Sequence, residues 1–174
     1  MTKIEFLAAS LPYGLKIMSI DNEVFTIHPY KDSIDMLSDN EHISIGNLIQ
    51  ENELAGKRNE ADPHIPIIRH LDTLTQECVQ ADYNDGKPFI PIVELANMSF
   101  DFKNFKYIDG ECVGSTGYEK VYFCLHKNGY FDSSYFKVKN QLQLFQHLLK
   151  WHFWPNKPEG EEVVYVTSEF NPYK

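Results

Sequence analysis

The chain has 174 residues, 43% of them hydrophobic, 24% charged and 14% aromatic. That suits one ordinary globular domain and carries more apolar surface than a disordered chain. No run nears the roughly 18 apolar residues of a membrane-crossing helix. Met1 to Leu11 holds Glu5 and lacks a signal peptide's apolar run and cleavage site, so a secreted or membrane protein is not expected.

The net charge of -9 is uneven. Residues 21–62 carry 3 basic and 10 acidic side chains, among them Asp32, Asp35, Asp39, Glu41, Glu51, Glu53, Glu60 and Asp62. The plain reading is a solvated acidic face; the sharper one is a surface that imitates a nucleic-acid backbone or meets a basic partner. Direct nucleic-acid binding is disfavoured. Arg58 and Arg69 are the only arginines, and the lysines from Lys103 to Lys139 are interleaved with Asp101, Asp109, Glu111, Glu119 and Asp132. Cys78, Cys112 and Cys124 show no CxxC spacing and read as reduced thiols in a cytosol.

Leu15–Ile20 and Val24–His28 predict a hairpin turning at Asp21-Asn22, with Pro29 ending the second strand. Asp32–Asn40 predicts a loop or short helix. Ile43, Ile45, Leu48, Ile49 and Leu54 could bury one side of an element that Gly56 stops, and a polar loop follows to Pro66. The spacing of Ile67, Leu71, Leu74, Cys78 and Ala81 predicts a helix over about 70–82, ended by the turn Asn84-Asp85-Gly86.

Asp109-Gly110 and Asn128-Gly129 each sit between β-prone runs and predict two hairpins of an antiparallel meander. Val121, Phe123 and Leu125 alternate with Tyr122, Cys124 and His126, a semi-apolar second set, so the sheet is expected to be covered on one face and partly on the other. Val138, Leu142, Phe145, Leu149 and Phe153 predict a helix over 138–153, stopped by Pro155. Glu162–Thr167 predicts a last strand. The class is α+β in a single domain over residues 1–174: antiparallel β hairpins packed with two main helices.

Chemical motifs are weak. His147 and His152 lie five apart and diverge by about 140° on a helix, so they cannot share an ion. Gly114-Ser115-Thr116-Gly117 resembles a phosphate loop but leads into a strand, not a helix N-terminus. Asp101-Phe102-Lys103 and Asp85-Gly86-Lys87 fit a metal-dependent nuclease pattern, yet composition alone supplies such hits. Arg58 and His64 have a ribonuclease-like spacing in a segment that Asp62-Pro63 makes a loop. No catalytic residue, metal ligand or cofactor site is assigned. Trp151 and Trp154 close the main helix as core packing or as a partner's anchor, with Trp151 the more exposed of the two.

Four segments carry a likeness to known sequences: Leu11-Pro12-Tyr13-Gly14-Leu15-Lys16, Pro66–Thr75, Leu142–Phe153 ending in Trp-His-Phe, and Asn171-Pro172-Tyr173. In this order they resemble a group of uncharacterised small proteins encoded by phages and prophages of gut Bacteroidales, from which Trp154-Pro155 departs. The resemblance implies a bacterial cytoplasm and a mobile-element setting, and no activity.

The first expectation is a non-enzymatic accessory protein that acts by binding another protein, through Trp151 and Trp154 or through the acidic residues named above. The alternatives are an acidic DNA mimic that inhibits a host nucleic-acid-binding enzyme, and a small metal-dependent hydrolase or nuclease. Homo-oligomers remain open, and no membrane is involved.

Overall fold

The computed structural model describes residues 11–18, 22–30, 33–37, 42–44, 65–127, 129–154 and 162–174. Residues 1–69 with 156–172 form one compact unit; residues 70–155 with 173–174 form another. Among the described residues, antiparallel-rich sheets and two α-helices make the class α+β, as expected.

The first unit holds a six-stranded sheet. Its strands are β1 (Lys16–Met18), β2 (Val24–Tyr30), β3 (Ser33–Leu37), β4 (His42–Ser44), β5 (Ile65–Ile68) and β10 (Val164–Tyr165), in the order β10-β5-β1-β2-β3-β4. The first hairpin forms as read, with Asn22 at φ 62 in its turn. Leu15, Ile17, Phe25 and Ile27 are all buried, and Pro66 stands opposite Ile17. This alternation is the two-residue period of a strand with one covered face.

Three expectations fail here. Pro29 does not end its strand: β2 runs on to Tyr30 with Pro29 opposite Ile34. The register of β1 on β2 spans only Val24 to Thr26, so Pro29 lies where one side of the strand needs no donor. Ser33–Leu37 is a strand, not a loop or helix. Ile67 does not open a helix either. Ile65–Ile68 pairs antiparallel with β1 and parallel with β10, and just past β10 the Val166 N–H reaches the Ile68 carbonyl at 2.8 Å. Of the element expected over 43–56, residues 43 and 44 belong to β4 and the rest lie outside the described residues.

In place of the helix over 70–82, the second unit begins with a 3-10 turn, Leu71–Thr73. Cys78 then forms a bridge with Phe89. The turn Asn84-Asp85-Gly86 forms as expected, with all three residues at positive φ. After it comes α1 (Pro91–Ser99), a helix that the sequence reading missed. Pro91 occupies its first turn, where a missing N–H costs nothing. Pro91, Ile92, Leu95 and Ala96 form its buried face.

The meander follows: β6 (Lys106–Ile108), β7 (Glu111–Ser115), β8 (Lys120–Leu125) and β9 (Phe131–Ser133), paired in chain order. Asp109 at φ 52 and Gly110 at φ 85 make the first tight turn; Gly129 at φ 80 serves the second. The phosphate-loop-like segment is instead strand β7 running into a turn in which the Thr116 N–H meets the Glu119 carbonyl. Cys112, Val121, Phe123 and Phe131 bury the inner face. Two side-chain amides stand in for strand neighbours. Asn104 both donates to and accepts from the Ser115 backbone, and Gln141 does the same with Phe131. Edge groups that would otherwise face water or another chain are thereby filled.

Helix α2 (Gln141–Lys150) is shorter than the expected 138–153 and turned about its axis. Leu144 and Leu148 are fully buried, whereas Leu142 is 73% exposed. The helix ends before Pro155. Here His152 at φ 63 lets its own N–H reach the Leu149 carbonyl and the Phe153 N–H reach the Leu148 carbonyl, both at 2.9 Å. This is a Schellman ending with histidine where glycine is usual.

Two substitutions test the helix phase. Leu144→Ala should cost about 2–5 kcal/mol in a denaturant titration, and Leu142→Ala less than about 0.5 kcal/mol. The close approach of Gly114 makes a separate prediction. A Cβ there would lie 2.9 Å from the Phe105 ring, so Gly114→Ala should destabilise by about 1–3 kcal/mol in the same assay.

Candidate functional site

The expected anchors come first. Trp151 is 0% and Trp154 8% exposed, so neither presents itself to a partner. The exposure expected of Trp151 followed from a helix phase that α2 does not have. Its ring instead packs edge-on against Tyr83 at 4.9 Å and tilted against Phe89 at 5.0 Å. Asp32, Asp39, Glu41, Glu51, Glu53, Glu60 and Asp62 lie outside the described residues. Asp35 stands on β3 opposite His28 and Ser44, and its side chain is not described.

Two features of the second unit offer chemistry to solvent. One lies where the inner face of the meander meets the surface. Phe100 and Phe102 stack at 5.3 Å, and both stack on buried Phe105 at 5.5 Å. Phe136, 41% exposed, places its ring 6.1 Å from Phe100 and 6.0 Å from Phe102. The Ser133 hydroxyl donates to the Phe136 carbonyl and accepts the Phe136 N–H, which fixes the turn. Tyr135 beside it is 61% exposed. Exposed Lys103, Lys137 and Lys139 flank these rings in the sequence against a single carboxylate, Asp101. The patch is therefore apolar and anchored in the core, with exposed lysines near its rings in the sequence.

The other feature is the open face of the meander. Alternation along β8 turns Tyr122 and Cys124 outward, and His126 follows on the same side. Asp132 of β9 stands opposite Cys124. The Cys124 Sγ lies 3.8 Å from His126 Nε2, and Asp132 Oδ2 lies 3.4 Å from that same nitrogen. A thiol, an imidazole and a carboxylate suggest a nucleophilic triad, but the geometry argues against one. Both contacts fall on one ring nitrogen, whereas a relay needs the carboxylate on the other. Partial burial first, and then the Asp132 carboxylate, push the Cys124 thiol above its ordinary value. An activated thiol is shifted the opposite way.

Other polar groups serve the core. Burial pushes the Cys112 thiol up to about 12, and its Sγ donates to the Ile92 carbonyl at 3.7 Å. Burial and the Glu94 hydrogen bond raise the Tyr83 phenol, which donates to that carboxylate at 3.0 Å. Burial, helped by Lys150, lowers His147, whose ring lies tilted 5.6 Å from that of Trp151. His152 is buried and stacks on Tyr173 at 3.7 Å. Of the two histidines expected on one helix, only His147 lies in α2; His152 follows its end with a left-handed backbone, so their helical spacing does not apply.

The thiols provide a direct test of this reading. In the native protein Cys124 should alkylate with iodoacetamide well before Cys112, with peptide mass spectrometry giving the order. Because the Cys124 value is raised, its rate should still climb as pH passes 9; a plateau below pH 8 would mean an activated nucleophile. Among the described residues no helix is long and apolar enough to cross a membrane. Compared with models of known families, with curated proteins and with solved structures, the chain matches none.

Proposed function

We propose that this protein works by binding another protein, and that the Phe100–Phe102–Phe136 patch is its contact surface. The observation that carries this reading is the partial exposure of Phe136 on rings that stack inward onto Phe105. A rigid aromatic group loses little freedom on binding, which is the property of an interface anchor. Lys103, Lys137 and Lys139 favour a partner segment that is apolar on one side and acidic around it.

The setting belongs to the same proposal. The likeness to phage and prophage proteins supports a bacterial host cell and an accessory role. Thiols at Cys78, Cys112 and Cys124 suit a reducing cytoplasm.

A tagged pull-down from bacterial lysate, washed in rising salt, tests the surface. One stoichiometric partner should be retained by the wild type and lost, or weakened at least tenfold, with Phe136→Ser. Lys137→Glu should release it at lower salt, since surface charge is screened within about 10 Å at 0.1 M. Equal retention by all three proteins would count against the patch.

A further inference from the structure

His152, in the turn that ends α2, is a titratable side chain only 2% exposed. One face of its ring stacks on Tyr173 at 3.7 Å, the planes 13° apart. At the ring edge, Nε2 lies 3.4 Å from the Gln80 amide nitrogen, and that nitrogen also donates to Asp82 Oδ1 at 2.9 Å. Between these two residues, Ala81 gives its N–H to the Tyr173 carbonyl at 2.9 Å. Tyr173 is thus held by its ring from one segment and by its backbone from another.

The Asp82 contact decides the state of the imidazole. An ionised carboxylate only accepts, so the Gln80 amide turns its NH2 group toward Asp82. The same NH2 faces His152, whose Nε2 is then an acceptor and carries no proton. Protonating Nε2 would set N–H against N–H. Turning the amide over would offer Oε1 to the ring, but would set that oxygen against the Asp82 carboxylate. Neither arrangement satisfies all three groups, and Gln80, itself 5% exposed, already buries Oε1 without a hydrogen-bond partner. Other charges around the ring do not favour a cation. Asp82 reaches it only through Gln80; on α2, His147 lies against Trp151 with Lys150 beside it; and exposed Lys174 follows Tyr173.

We propose that His152 is a proton-operated latch for the segment ending in Tyr173. Neutral, it accepts from Gln80 and keeps Tyr173 stacked; protonated from solvent at Nε2, it breaks from Gln80 and lets Tyr173 go. The docked state binds fewer protons than the released one. Docking is therefore favoured at high pH and lost as pH falls below about 6.5, the ordinary histidine value.

Hydrogen exchange by NMR on the full chain tests the latch, because the Ala81 amide keeps its partner only while Tyr173 is docked. Its protection factor, which corrects for the intrinsic pH dependence of exchange, should fall at least tenfold from about pH 7.5 to about pH 5, while amides of β8 keep theirs. His152→Asn retains an acceptor on a residue type that tolerates positive φ, and it should hold Ala81 protection level over that range. Imidazole nitrogen shifts of the wild type give a reading that needs no variant: near pH 7.5 the ring proton of His152 should lie on Nδ1. The proposal fails if Ala81 protection does not respond to pH, if H152N shows the same fall, or if the neutral ring carries its proton on Nε2.

Discussion

The core of the second unit depends on how one helix stops. After α2, a chain continuing in helical phase would turn residue 153 about 200° away from residue 151, so that only one of them could face inward. His152 at φ 63 breaks that phase, and Trp151 and Phe153 are both fully buried. A left-handed backbone at a non-glycine residue costs about 1–2 kcal/mol. Against that stand two closing hydrogen bonds at 2.9 Å, the stack of His152 on Tyr173, and the burial of Trp151 and Phe153. Full burial of even one large apolar side chain stabilises by about 1.5–3 kcal/mol, so the ending is favourable as a whole.

The same unit meets a second constraint, the strand edge. A short sheet leaves backbone donors and acceptors along its borders. Asn104 and Gln141 fill part of them with amides, which carry a donor and an acceptor at about the spacing of a peptide unit. Gln141 also opens α2, so the residue that begins the helix holds the last strand of the sheet. Helix and sheet are thereby linked through hydrogen bonds as well as through apolar contact.

These devices explain which parts of the fold were legible in the sequence. Asp109-Gly110 and Asn128-Gly129 announced their hairpins because positive φ is a local demand that few residues meet. The antiparallel meander followed from them. Helical spacing from Ile67 to Ala81 misled because only the strand partners of Ile67 and Ile68 decide their conformation, and those partners come from β1 and β10. Sheet pairing over long separations leaves no mark within an eleven-residue window. Helix α1 escaped notice for the opposite reason: it is nine residues long and its strongest start signal, Pro91, reads equally well as a breaker.

Candidate chemistry was legible to a similar depth. Alternation along the strand placed Cys124 and His126 on one face in advance, but Asp132 joins them only through the register of β8 on β9. Aromatic content was a poor guide to exposure. Trp151 and Phe136 are comparable apolar side chains, yet one is sealed and the other stands 41% open. The difference lies in backbone phase: Trp151 follows Leu144 and Leu148 on the buried face of α2, whereas the Ser133 hydroxyl fixes the turn that leaves Phe136 at the rim. Phe136 packs its ring against both Phe100 and Phe102. A surface ring held from beneath presents a fixed shape, and fixed shape is what separates a binding anchor from incidental exposed carbon.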